Sequence, residues 1–143
     1  MGFHYDVANG GYTIITKKFD PELLFGTKGI RFFYRGKDKE GGPNTIEFKL
    51  ILKYPSDTQD TIYGILWNGA SDTDDQWKQV DVLYRDLFCW LPAENCKRHG
   101  DQPDLTAVDR LDFVVSNKPG AGDPPGSGDV ALDDVQAIPA CSP

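Results

Sequence analysis

The sequence predicts an all-β chain folded as a two-sheet antiparallel β-sandwich, and three observations predict it. Apolar residues recur at every second position in short runs, Gly, Pro, Asn and Asp bound those runs, and helical periodicity is nearly absent. Strands are expected over 11–18, 28–36, 44–53, 61–67, 76–83, 109–116 and 128–137. Short alternating strands separated by turn signals build a sandwich rather than an α/β arrangement. A chain of 143 residues suits one domain, and at this size roughly two thirds of the unfolded surface can be buried. The sandwich is expected to occupy 1–138, with 139–143 as a tail or linker.

Strand alternation assigns each residue a face. In 28–36, Ile30, Phe32 and Tyr34 form the core side, leaving Arg31, Phe33 and Arg35 outward. A ring between two guanidiniums suits a sugar, whose C–H face stacks on the ring while its hydroxyls meet charged forks. In 44–53, Ile46, Phe48, Leu50 and Leu52 face in and Glu47, Lys49 and Ile51 face out. Glu47 and Lys49 are placed beside Arg31 and Arg35, either as cross-strand ion pairs of roughly 0.2–1 kcal/mol or as partners for hydroxyls.

The later strands extend the list. In 61–67, Tyr63, Ile65 and Trp67 share a side, and Tyr63 and Trp67 are expected to line the groove. In 76–83, Val80 and Val82 are inward and Trp77, Gln79 and Asp81 lie opposite; for Trp77, core packing weighs slightly more than stacking on a sugar. In 109–116, Leu111, Phe113 and Val115 face in, which adds Arg110 and Asp112 to the polar candidates. The Gly- and Pro-rich stretches 37–43 and 119–128 read as exposed loops. The segment 88–106 holds two cysteines and a short helical turn at Pro92–Asn95.

Composition narrows the partner. With 15 basic against 22 acidic residues, a formal charge of −7, a phosphate-tracking surface is not indicated, which argues against nucleic acid and anionic membrane. No apolar run approaches the roughly 18 residues of a membrane span. Cys89 and Cys96 stand seven positions apart, a spacing a loop disulfide can close, while Cys89 beside Phe88 and Trp90 also reads as a small buried hydrophobe. Cys141 lies in a Pro-flanked tail. The ligand spacing of a structural zinc site is missing. No serine lies in a Gly-x-Ser-x-Gly elbow, and no carboxylate sits in the apolar context that glycoside hydrolysis demands.

Asp133 and Asp134 are adjacent carboxylates at a strand end, a source of oxygens for a hard cation such as calcium. The acidic loop Asp72-Thr73-Asp74-Asp75 lacks the Gly and distal Glu of an EF-hand and reads as a solvated turn.

Three segments in this order, Gly29-Ile30-Arg31-Phe32-Phe33-Tyr34-Arg35-Gly36, Trp77 to Phe88, and Val130-Ala131-Leu132-Asp133-Asp134-Val135, resemble the jelly-roll, galactose-binding-like carbohydrate-binding modules. The likeness is to the β-glucan-binding modules of secreted plant-cell-wall-degrading enzymes. It implies a non-catalytic module that holds a polysaccharide in a groove on one sheet for an attached hydrolase. It also implies a structural calcium at the Asp133–Asp134 pair, with Asp133 the better match. Such modules usually open with one or two additional strands before the segment matching 11–15, so Met1–Val7 is expected to supply a sheet edge. The same sandwich also serves as a protein-interaction module, as in the intermediate-associated proteins of respiratory-complex assembly, and a flat apolar patch would favour that alternative.

Overall fold

A computed structural model describes residues 2–7, 12–40, 45–67, 76–116 and 126–140. Its strands are β1 (Gly2–Val7), β2 (Tyr12–Lys18), β3 (Thr27–Glu40), β4 (Thr45–Leu52), β5 (Thr61–Trp67), β6 (Lys78–Leu83), β7 (Phe88–Leu91), β8 (Val108–Ser116) and β9 (Gly126–Pro139), with one short helix, α1 (Ala93–His99). Two antiparallel sheets result: a four-stranded sheet in the order β1-β9-β3-β6 and a five-stranded sheet in the order β2-β8-β4-β5-β7.

The core forms where the inward rows of the two sheets meet. Ile30, Phe32, Tyr34, Val82, Val130 and Leu132 come from the four-stranded sheet, and Phe48, Leu50, Leu52, Leu111, Phe113 and Val115 from the five-stranded one. Phe32 joins them directly, lying edge-on to Phe113 at 4.8 Å between ring centroids and parallel to Phe48 at 6.2 Å. Alternation on β3, β4, β6 and β8 therefore reads correctly from sequence.

Several expectations change. β1 is a sheet edge paired with β9, as expected of Met1–Val7. β7, four residues that include Cys89, is an added strand at the other sheet's edge. The turn at Pro92 continues as α1, and Cys89 and Cys96 are joined in a disulfide with Cα atoms 5.5 Å apart. β9 begins at Gly126, inside the stretch read as loop, and runs to Pro139, past the expected end of the sandwich. The acidic loop Asp72–Asp75 and Cys141 lie outside the described residues.

The largest correction concerns which strands are neighbours. β3 and β4 follow one another in sequence but belong to opposite sheets. Glu47 and Lys49 thus face away from the sandwich on one side, and Arg31 and Arg35 on the other. Alternation fixes the side of a strand that a residue occupies, but not the sheet the strand joins.

Candidate functional site

The outward face of the five-stranded sheet carries a continuous cross-strand row. Thr16 pairs with Asp112, Asp112 with Lys49, Lys49 with Gly64 and Gly64 with Phe88. With strands about 4.8 Å apart, such a row spans about 19 Å, the reach of an oligosaccharide rather than one ring. Thr16 Oγ1 donates to Asp112 Oδ1 at 2.8 Å, and Lys49 Nζ lies 2.5 Å from Glu47 Oε2.

The middle of this face is shielded although it points outward. Glu47 is 1% exposed and Asp112 6%, with Ile51 and Val114 buried beside them. Its two edges are open: Tyr12 on β2 is 67% exposed, and Ile14, of the same parity, and Phe88 on β7 are exposed too. A sheltered polar floor between exposed rings is the profile of a trough.

At the β7 end, Trp90 lies over β5. A Cβ on Gly64 would come within 2.7 Å of the Trp90 ring and 3.0 Å of the Phe48 carbonyl, so only glycine leaves room for the indole there. Lys49 Nζ sits 4.7 Å from the centre of that ring, a cation–π distance, and Phe88 is tilted against it at 5.3 Å. Beyond the row, Arg110 is held by Asp60 and Asp109, each at 3.2 Å, and by Asp112 at 3.5 Å. Partial burial opposes the Arg110 charge, but these carboxylates outweigh it and raise its pKa above the usual guanidinium value. Asp109 is likewise partly desolvated, yet its bonds to Arg110 and Lys53 hold its carboxyl below the usual range.

The outward face of the four-stranded sheet holds the rest of the candidates. Arg31 grips Asp81 with two bonds, Nε to Oδ1 at 2.7 Å and Nη2 to Oδ2 at 2.6 Å; this pairing raises the arginine's pKa and lowers the aspartate's. The Arg35 guanidinium lies 5.0 Å from the Trp77 ring centre, and Phe33, between Arg31 and Arg35 in sequence, is half-buried. Trp77 is 45% exposed, which overturns core packing for that ring.

The structure thus brings Glu47, Lys49, Arg110 and Asp112 together and sets Arg31, Phe33, Arg35, Trp77 and Asp81 apart from them. Tyr63 belongs to neither face. It is 0% exposed, in the core, and its hydroxyl donates to the Gly100 carbonyl at 2.7 Å. Burial raises its pKa, with Asp101 and Asp104 adding to the effect. The Trp67 backbone pairs with Ile46, and its side chain lies outside the described residues. Tyr12, Thr16 and Trp90 are not among the site residues expected from the sequence. The signal was present for the first two: Ile15 packs on the core, so Tyr12, Ile14 and Thr16 share the opposite side.

Asp133 and Asp134 occupy a bulge. Phe33 pairs with Asp133 and Arg31 with Gln136, so β9 carries one residue more than β3 here. Asp134 takes φ 50° to accommodate it, and the Asp133 carboxylate accepts the Asp134 N–H at 2.9 Å. Among the described residues no third acidic, histidine or cysteine side chain joins them. Two exposed carboxylates, one engaged by its neighbour's backbone, do not fit the six to eight oxygens a calcium site wants. Their local chemistry is that of a bulge, in which Asp tolerates positive φ better than most residues.

No protein-family model matches this chain, and no curated protein does. Among solved structures, the fold is similar to the family 11 carbohydrate-binding module of the cellulosomal cellulase Lic26A-Cel5E of Clostridium thermocellum, with a TM-score of 0.68 and 16% identity over 99% of this chain and 75% of that one. A second structure of a family 11 module from Clostridium thermocellum, in complex with a β-1,3-1,4-mixed-linked tetrasaccharide, aligns with a TM-score of 0.66 and 18% identity over 99% and 76%. The chain shares the two-sheet jelly-roll architecture of these modules.

Proposed function

We propose that this chain is a non-catalytic module that binds a β-glucan along the outward face of its five-stranded sheet. The observation that carries the reading is the register row Thr16–Asp112–Lys49–Gly64, a sheltered polar floor bounded by the exposed ring of Tyr12 on one edge and by exposed Phe88 and half-buried Trp90 on the other. Rings at the margins stack on the C–H faces of pyranoses, while the hydroxyl, carboxylate and ammonium groups of the floor exchange hydrogen bonds with hydroxyls. The floor's charges are internally paired, which suits a neutral chain better than an ionic one. A mixed-linkage tetrasaccharide bound by a module of this fold supports the class of ligand.

Capture of this kind serves an attached hydrolase by raising the local concentration of its substrate. A solved module of the same fold comes from a cellulase, which supports that placement. The Cys89–Cys96 disulfide suits an oxidising compartment, hence a secreted parent protein.

Isothermal titration with mixed-linkage and cello-oligosaccharides tests the reading. Heat is expected with wild type and with Arg31→Ala, whose side chain is on the other sheet, and a loss of about fivefold in affinity with Tyr12→Ala. Equal binding by Tyr12→Ala, with loss in Arg31→Ala, would move the site to the four-stranded sheet. No heat with any glucan would end the proposal.

A further inference from the structure

We infer that α1 and its linkages are a positioning device for the aromatic end of the groove, so that saccharide affinity depends on Asp57, His99 and the Cys89–Cys96 bridge, none of which lies on the groove face. The inference rests on the glycan-binding reading above and deepens it.

β7 is poorly fixed by its own sheet. It is four residues long and lies at an edge; among the described residues it pairs with β5 alone, through a register shift that leaves Trp90 opposite no residue. A short edge strand with one neighbour is among the first parts of a sheet to open. Its position must come from elsewhere, and the neighbouring contacts point to α1.

Cys89 packs toward the core and is bonded to Cys96 in α1, so the residues flanking it, Phe88 and Trp90, are held on the outward side. The helix is in turn tied to the connection between the two groove strands β4 and β5. Arg98 and His99 both reach the Asp57 carboxylate, which is 1% exposed, the His99 Nε2 to Oδ2 distance being 2.7 Å. The His99 ring stacks on Tyr54 with centroids 3.6 Å apart and planes 5° apart. Buried Asn95 donates to Thr61 Oγ1 at 2.9 Å and to the Gln59 carbonyl at 3.1 Å, and Tyr63 holds the Gly100 carbonyl just past the helix end.

A seven-residue helix has little stability of its own, so this many polar anchors are what keep it in place. Through Cys96 they also place Trp90 above Gly64 and beside Lys49. Loss of a linkage therefore releases the ring before it unfolds the sandwich, whose core lies elsewhere.

The test compares wild type with Asp57→Asn and with Cys89→Ser combined with Cys96→Ser, each with and without Trp90→Ala, and uses Trp90→Phe as the reference for quenching. Affinity is read by titration with a mixed-linkage tetrasaccharide. Exposure of Trp90 is read by acrylamide quenching, taken as the difference from the Trp90→Phe protein. Asp57→Asn and the double serine variant are expected to melt cooperatively, to lose about tenfold in affinity, and to show increased quenching of Trp90. Adding Trp90→Ala to either should cost less than about a further twofold, because the linkage and the ring act as one unit. Wild-type affinity and quenching in both variants would overturn the inference, as would full additivity with Trp90→Ala. Should the double serine variant fail to fold, Asp57→Asn decides alone. If wild type binds no saccharide, the glycan reading fails, and the quenching comparison still decides whether these groups hold Trp90.

Discussion

Tyr12 and Tyr63 are the same residue type with opposite roles, and the difference is one of strand parity. Tyr12 is exposed on the groove edge, whereas Tyr63 is fully enclosed and bonded to Gly100. Tyr12→Ala should therefore weaken glucan binding by about 1 kcal/mol while leaving the melting temperature nearly unchanged. Tyr63→Ala should cost roughly 3–5 kcal/mol of stability, the usual range for emptying a large core site. Paired titration and denaturant melts separate them, and a destabilised Tyr12→Ala would place that ring in the core. Asp81 gives a prediction in pH. Its bidentate partner Arg31 lowers its folded pKa, so its stabilising contribution is complete above the unfolded value near 4 and is lost as pH falls below it. The gap in melting temperature between wild type and Asp81→Asn should shrink between about pH 5 and pH 2; a gap that holds constant would show that the ion pair contributes nothing.

For the elements, the sequence made strand existence and face legible but not strand partnership. The alternation in Ile30–Tyr34 and Leu111–Val115 is dictated by burial on one side, so it can be read off directly. That β3 and β4 separate into opposite sheets is decided by long-range pairing with β9 and β8, which leaves no local mark. Hence the sequence groups Arg31 and Arg35 with Glu47 and Lys49 although the core lies between them. β5 misleads for a related reason: its outward positions Ile62 and Gly64 look too bare to line a site, whereas the inward ring of Tyr63 looks like a lining. Gly64 is bare because the Trp90 indole from β7 covers it. Gly64→Ala tests this, since the new methyl group would press on both the indole and the Phe48 carbonyl. A stability loss of about 1–3 kcal/mol is expected, as in other overpacked sites, together with weaker glucan binding. Unchanged binding would mean that Trp90 lies outside the ligand's reach.

At the scale of the whole molecule, 16% identity to a module of known structure over 99% of the chain shows that the pattern of inward rows, not particular residues, carries this fold. Function is then set by what the free faces display. Here the five-stranded face shelters paired charges between open rings, and the four-stranded face presents Arg31 already closed on Asp81. Among the described residues Asp133 and Asp134 have no third acidic, histidine or cysteine partner, so excess chelator is expected to leave the melting curve in place; a clear drop would reveal a folded-state ion site.

Salt dependence provides the sharpest discrimination between a glucan and a charged partner. The chain carries a net charge of −7, and a cationic protein drawn to that field would bind far less tightly once ions screen it, with the Debye length falling from about 10 Å at 0.1 M to about 3 Å at 1 M. A neutral chain lying over charges already paired with one another has no such long-range attraction to lose. Binding of a mixed-linkage oligosaccharide should thus change by less than about twofold between 0.05 and 1 M sodium chloride. Titrations at the two salt concentrations measure it. A drop of tenfold or more would mean that the ligand contacts depend on unpaired charge, and the groove would have to be reassigned to an ionic partner.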